Sequence, residues 1–406
     1  MKENKVLNLE AKACFDFFWN EANTDSSSPG YGLIRDKTGK GNELMASIAS
    51  VGFGLTAIVI GVERGWITRE EGYERTKGTL HTFLYNAEES EGFFFHFLNM
   101  ETAKKYEACY DCASIIDTSI FLNGAITSAE YFEGEVKELF EAIYNRVNWQ
   151  KYYDKENNWF YMGYTPERGG WGAWDMYAEQ LMQYILGVGS PTHPVPKEIY
   201  KGFNRDLRKY DEFEYYNSPG GALFTHQFSH AWFDFKDTVD EDGINWFDNS
   251  VKATLAAKHY CINHPEKFKT FSENSWGVTA CEGPDGYKAY GSAPFHPNCD
   301  AKINDGTIAP CAAAGSLIFA PDDVIAAMEH FYYDVPQLWS EYGFLDAYNL
   351  DRNWTADIVI GIDKGVTLLM IENYRSNLIY DLYMNNKYVK KATDLLGWKH
   401  EDKVAN

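Results

Sequence analysis

Two stretches of this chain, SIIDTSIFLNGAIT (residues 114–127) and ADIVIGIDKGVTLLMI (residues 356–371), are apolar around nearly the whole helical circumference. A helix of that kind must be buried on every side. The stretch TREEGYERTKGTLHTFL (residues 68–84) instead carries charge on one face and belongs outside. Helical patterns of one type or the other are expected over about 7–21, 44–65, 68–87, 112–131, 134–147, 174–187, 196–208, 243–262, 320–332 and 354–375. Alternation of buried and amphipathic helices over 406 residues predicts an all-α fold. Its natural form is an (α/α)6 toroid, with six inner and six outer helices and a cleft formed by loops at one end. Strand signals are sparse, and WFYMGYT (residues 159–165) reads as one strand of a small β-hairpin in a loop. No Pro/Ser tract, charge block or low-complexity run divides the chain, so residues 1–406 are expected to form one domain.

Charge narrows the ligand. The 37 basic and 59 acidic residues leave a formal charge of −22, which repels nucleic acid and anionic membranes but not a neutral ligand. The longest apolar run, SIASVGFGLTAIVIGV (residues 47–62), is short for a membrane span and reads as a buried helix. The N-terminal MKENKVLNLEAKACFDFFWNEAN lacks the h-region of a signal peptide. The expected location is therefore cytoplasmic, or periplasmic or secreted if a leader has been removed. Seven scattered cysteines argue against a disulfide framework. The lone CxxC of Cys109 and Cys112 lacks both a thioredoxin-like context and a second pair for zinc, so reduced, structural cysteines are expected.

Carboxylates on apolar faces carry the strongest chemical signal. In GGWGAWDMYAEQLMQYILG (residues 169–187), a helix starting near Asp175 would put Glu179 on the stripe of Met176, Met182, Gln183 and Leu186. A desolvated carboxyl there has a raised pKa, which suits a general acid; a buried ion pair is the competing reading. Asp117 is flanked by Ile115, Ile116, Ile120 and Phe121 and is the only charge in its helix interior. Catalysis, sugar-hydroxyl binding and a structural hydrogen bond all remain open for it. Glu282, Asp305, Asp346 and Glu372 sit in aromatic or glycine-rich segments, where turn and cap roles compete with site roles. Trp171, Trp174, Tyr177, Trp232, Trp276, Tyr287, Tyr342 and Phe344 fall in the same segments as these acids. Aromatic faces stack on sugar rings while acids and amides bind hydroxyls, so the combination suits a neutral carbohydrate; core filling is the alternative.

Other motifs are weaker. HQFSH places His226 and His230 at i, i+4, but Gln227 stands where a zincin has Glu, leaving ligand hydrogen bonding or a core pair. DTVDEDG (residues 237–243) fails the EF-hand register because Thr238 and Asn249 occupy ligand positions, although a looser cation site stays open. No P-loop, GxSxG elbow or dinucleotide fingerprint is present.

Taken in order, GFFFHFLN, SIIDTSIFLNGAITSAEYF, GWGAWDMYAEQLMQYILGVGSPTHPV, LFTHQFSHAWFDFKD, WGVTACEGPDGYKAYG, DGTIAPCAAAGSLIFAP, YGFLDAYN and GIDKGVTLLMIENYRS resemble the bacterial glucoamylase-like domain of glycoside hydrolase family 144. Its characterised members act on β-1,2-glucans. The resemblance runs from about Phe15 to Leu382. It implies an (α/α)6 toroid and inverting hydrolysis of a glucan or gluco-oligosaccharide, without cofactor or metal. It also implies Glu179 as general acid and Asp117 as base or essential subsite carboxylate. The resemblance places Trp171, His226, His230, Glu282, Tyr287, Asp305 and Glu372 at the cleft, and the full substrate-binding set expected adds Trp174, Tyr177, Gln227, Trp232, Trp276, Tyr342 and Arg375. Three positions depart from the family pattern: Ala178 for Ser, Glu282 for Asp, and Cys112 for Glu. The alternatives are an epimerase or lyase using His226 and His230, and a glucan-binding protein that has lost catalysis through Cys112. Oligomeric state is left open.

Overall fold

The computed structural model describes residues 4–107, 112–297, 299 and 303–400. Among them are twelve α-helices: α1 (Lys5–Asn20), α2 (Ile48–Glu63), α3 (Arg69–Tyr85), α4 (Ile115–Phe132), α5 (Gly134–Arg146), α6 (Leu181–Gly189), α7 (Trp246–Ile262), α8 (Pro310–Ala314), α9 (Pro321–Tyr333), α10 (Gly361–Ser376), α11 (Leu378–Asn385) and α12 (Lys387–Leu396). They form the expected two-layer toroid. The inner ring runs α2, α4, α6, the 3-10 segments of residues 223–231, α8 and α10, and closes back on α2. Outside it lie α1, α3, α5, α12, α7 and α9. None of the helices is long and apolar enough to cross a membrane, among the described residues.

Burial follows the sequence pattern. In α2 and α4 nearly every side chain is buried, whereas α3 buries only Gly72, Thr76, Thr79, Leu80, Thr82 and Phe83. Each start has a local cause. Ser47 and Ser114 cap α2 and α4 by accepting from the amides of Ser50 and Asp117. Thr68 and Glu71 form a reciprocal capping box on α3. The tightest inner contact is between glycines: a Cβ on Gly124 would lie 1.9 Å from the Gly52 carbonyl oxygen. The α2 and α4 backbones therefore touch where neither carries a side chain.

The inner helices run parallel. Ser50 and Phe53 of α2 meet Gly361 and Gly365 of α10, and Arg64 beyond α2 meets Glu372. Cys311 and Ala314 of α8 line one small cavity with Asp363 and Thr367 of α10. With Gly124 and Ser128 of α4 meeting Gly52 and Leu55 of α2, the N-termini of α2, α4, α8 and α10 open on one end of the barrel, with the positive ends of their dipoles.

The structure corrects three expected elements. The helix expected over 174–187 spans Leu181–Gly189, and Glu179 lies in the turn before it. The Gln180 side chain holds that turn, accepting from the Ala178 amide (2.7 Å) and donating to the Met176 carbonyl (2.5 Å). Met176 also bridges to Asn204, so the lead-in is extended rather than helical. The helix expected over 196–208 is a 3-10 turn, Lys197–Lys201, followed by the strand Leu207–Tyr210 paired with Phe213–Tyr216. The stretch 159–165 holds two short strands in two different sheets. Trp159–Phe160 pairs with Tyr153–Asp154, and Gly163–Thr165 pairs with both Ala113–Ser114 and Gly169–Trp171.

Candidate active site

Carboxyls gather at the open end. Asp117 and Asp363 are each the third residue of an inner helix, α4 and α10. Glu179 leads into α6, Asp36 lies on the approach to α2, and Glu282 and Asp346 come from loops. Helix N-termini favour such charges.

The Asp117 carboxylate accepts from the Ser114 hydroxyl, and its other oxygen lies 3.6 Å from His96 Nε2. Glu179 is partly open at the surface, yet protein atoms surround its carboxyl. Burial pushes its pKa up to about 7, and the Asp117 charge adds to the rise. Asp36 is pushed up to about 6, first by burial and further by Asp117 and Asp346, against the opposing pull of His96 and Lys37. The carboxyls thus form a chain around the mouth, each felt by the next.

Asp346 and Asp363 end that chain as a buried pair. Asp346 Oδ2 accepts the Glu282 amide at 2.6 Å, while its Oδ1 meets no protein donor. A proton shared with Asp363 supplies the missing bond. Burial raises both carboxyls; the Asp363 charge raises Asp346 further, while bonds from Asp346 and the Cys311 thiol lower Asp363. Burial of both carboxyls side by side therefore favours one proton held between them. The Tyr287 ring is half exposed, but its hydroxyl reaches down to this pair, and burial there raises its pKa.

A clamp from the outer layer holds the pair. Glu10 on α1 is 1% exposed, yet it accepts from Cys14 Sγ (3.3 Å), the Phe344 amide (3.0 Å) and Lys364 Nζ (3.0 Å). Lys364 also donates to the Phe344 carbonyl. One buried carboxylate thus ties down the neighbour of Asp363 and the strand two residues before Asp346.

Trp171 is placed by sheet register. Ser114, Gly163 and Trp171 stand in one row across the three-stranded sheet, so their side-chain positions share a face. A Cβ on Gly163 would fall 1.8 Å from Trp171 Cζ3. The indole therefore lies across the bare glycine toward Ser114, the residue that holds Asp117. The Arg168 guanidinium lies 4.9 Å from the indole centre.

Glu179, Asp117, Glu282 and Tyr287 are therefore gathered at the mouth, with Trp171 beside them. The structure does not bring the other expected residues there. Trp174, Tyr177, Trp232 and Trp276 are buried in the wall, where Tyr177 stacks on Trp246 and Trp232 Nε1 donates to Thr56 (3.0 Å). His226 and His230 lie on successive 3-10 turns, bound to Asn217 and Ser250. Burial lowers both imidazoles to about 3, which favours their neutral form. Gln227 donates to the Ala312 carbonyl and the Ser316 hydroxyl, tying two inner-ring members together. Asp305 organises its own loop through Thr307 and Tyr290. Tyr342 donates to Glu21, the partner of Arg35.

Glu372 lies at the far end of α10 in a two-pronged ion pair with Arg64 (2.6 and 2.8 Å), and Arg375 beside it donates to Asn8. In the acidic loop, Asp240 serves Tyr200 and the amides of Asp242 and Ile244, so it acts as a turn residue. Cys109 lies outside the described residues. A surface pocket of about 520 Å³, lined by Phe233, Asp234, Tyr380, Met384, Trp398 and His400, contains none of the mouth carboxyls.

Sequence reasoning missed Asp36, His96 and Asp363 and left Asp346 between a turn role and a site role. Asp363 carried the same signal as Asp117, an acid on an otherwise apolar helix. Asp36 and His96 carried none.

A six-fold helical toroid with acids at the N-terminal ends of its inner helices defines the class of fold. The family model described as "Glycoamylase: Putative glucoamylase" matches residues 170–387, and the chain belongs to that family. The crystal structure of a "putative glucoamylase" from Bacteroides uniformis superposes with a TM-score of 0.89 at 30% identity, covering 98% of this chain and 99% of that one. The endo-β-1,2-glucanase of Chitinophaga pinensis, solved with sophorotriose and glucose, gives 0.86 at 27% identity, covering 97% and 98%. The exo β-1,2-glucooligosaccharide sophorohydrolase of Parabacteroides distasonis is 28% identical over 434 residues, 97% of this chain. This chain spans 58% of that relative's length.

Proposed function

We propose that this chain is a glycoside hydrolase that cleaves β-1,2-linked glucans or gluco-oligosaccharides by inverting general acid/base catalysis, with residues 1–406 working as one catalytic unit. The observation that carries the reading is Glu179, a carboxyl at the mouth held protonated up to about pH 7 by burial. Such a group can give its proton to a departing glycosidic oxygen near neutral pH. The likeness to the sophorohydrolase and the endo-β-1,2-glucanase supports the linkage. The −22 charge suits a neutral polymer. Asp117, on the helix adjacent to α6, acts as the subsite carboxylate: it binds a sugar hydroxyl and raises Glu179. Trp171 supplies the stacking face.

The test is a panel of gluco-oligosaccharides of differing linkage. Release of reducing sugar from the β-1,2 series is expected. Cleavage of another linkage with none of β-1,2 would sink the reading, and an unsaturated or epimerised product would point to a lyase or epimerase.

Gly163→Ala tests the stacking role without touching an acid. Its methyl group would displace the indole, and KM should rise roughly fivefold for about 1 kcal/mol of lost stacking, with kcat little changed. Steady-state kinetics would show it, and an unchanged KM would remove Trp171 from the subsite.

A further inference from the structure

The members of the inner ring face one another in fixed pairs. Going round it as α2, α4, α6, residues 223–231, α8 and α10, the member opposite α6 is α10. Neighbouring helix axes lie roughly 8–10 Å apart, so opposite axes of a six-membered ring lie about 16–20 Å apart. Side chains reach about 5–6 Å from each axis, which leaves a gap of about 4–10 Å across the mouth. An inverting glycosidase needs roughly 6.5–9.5 Å between its carboxyls, to admit water beneath the sugar. Adjacent helices leave no such room. Glu179 leads into α6 and Asp363 sits on α10, whereas Asp117 belongs to the neighbouring α4.

We propose that the Asp346–Asp363 pair, facing Glu179 across the mouth, is the proton acceptor of the reaction. The inference rests on the hydrolase reading above. Water oxygen bonds to the anomeric carbon as the bond to the glycosidic oxygen breaks. The Glu179 proton passes to that departing oxygen, and the proton lost by water passes to the Asp363 carboxylate. The pair then holds two protons and Glu179 none, and exchange with solvent restores both. Asp346 keeps Asp363 aligned through their shared proton, and Cys311 donates to Asp363 from below.

The experiment compares Asp363→Ala with Asp117→Ala on linear β-1,2-gluco-oligosaccharides, with and without sodium azide. Asp363→Ala should lose roughly 10²–10⁴-fold in kcat. Azide, which needs no base, should restore turnover and leave a glycosyl azide of the α configuration. Azide rescue of Asp117→Ala and not of Asp363→Ala would overturn the proposal, as would a wild-type rate in Asp363→Ala. Should that variant fail to fold, Asp363→Asn keeps the volume: a lost kcat at unchanged KM supports the proposal, and a wild-type kcat overturns it. A wild-type protein inactive on every β-1,2 substrate would instead defeat the hydrolase reading, and this inference with it.

Discussion

Glu179→Gln should lower kcat on a β-1,2-linked oligosaccharide by roughly 10²–10⁴-fold, the usual contribution of a positioned general acid. Gln keeps the size of the side chain but has no proton to give. KM should change little, because the sugar still meets Trp171 and Asp117. Substrates with an activated leaving group, which departs without a proton, should be spared most of the loss. The pH profile carries the same signature. Burial holds the Glu179 carboxyl up to about 7, so the protonated form dominates below that pH and is lost above it. Wild-type kcat should therefore fall as pH rises through about 7, and the variant should lack that basic limb. A Glu179→Gln enzyme with wild-type kcat on the natural linkage would remove Glu179 from the mechanism.

Lys364→Met should destabilise the fold by about 3–5 kcal/mol, because it strands the buried Glu10 carboxylate without its cation. Burial alone would lower the Lys364 pKa, but the Glu10 carboxylate, together with Cys14 and Cys311, leaves the ammonium above its usual value. The two side chains are 5% and 1% exposed, so water cannot replace the lost partner. Removing both charges together, as Glu10→Gln with Lys364→Met, should recover much of the loss, since no unpaired charge remains. Urea denaturation of the single and double variants measures both effects. A single variant within about 1 kcal/mol of wild type would show that the pair holds nothing in place.

The inner helices were legible where their sequence was apolar all round. The stretches that became α2, α4 and α10 show it directly, and so the toroid could be expected. Of the rest of the inner ring, α6 was expected but from residue 174 rather than Leu181, while α8 and residues 223–231 are too short for a helical period to appear. The turn before α6 is set by side-chain bonds from Gln180, which no periodicity reveals. Among site residues, Asp117 and Glu179 stood out as charges in apolar surroundings. Asp363 stood in the same setting, in GIDKGV, and was passed over. Asp36 and His96 reach the mouth only through tertiary packing. The buried tryptophans and histidines show the converse limit. Composition placed them in the right segments, but only the fold decides which face of a wall a side chain occupies.

The most direct measurement of the central claim is the anomeric form of the first product, followed by proton NMR during hydrolysis of a β-1,2-linked gluco-oligosaccharide. Inversion across the mouth predicts that the α anomer appears first and the β anomer only later, by mutarotation. A β anomer formed first would mean retention, and would contradict an acid at Glu179 opposed by a carboxyl that activates water.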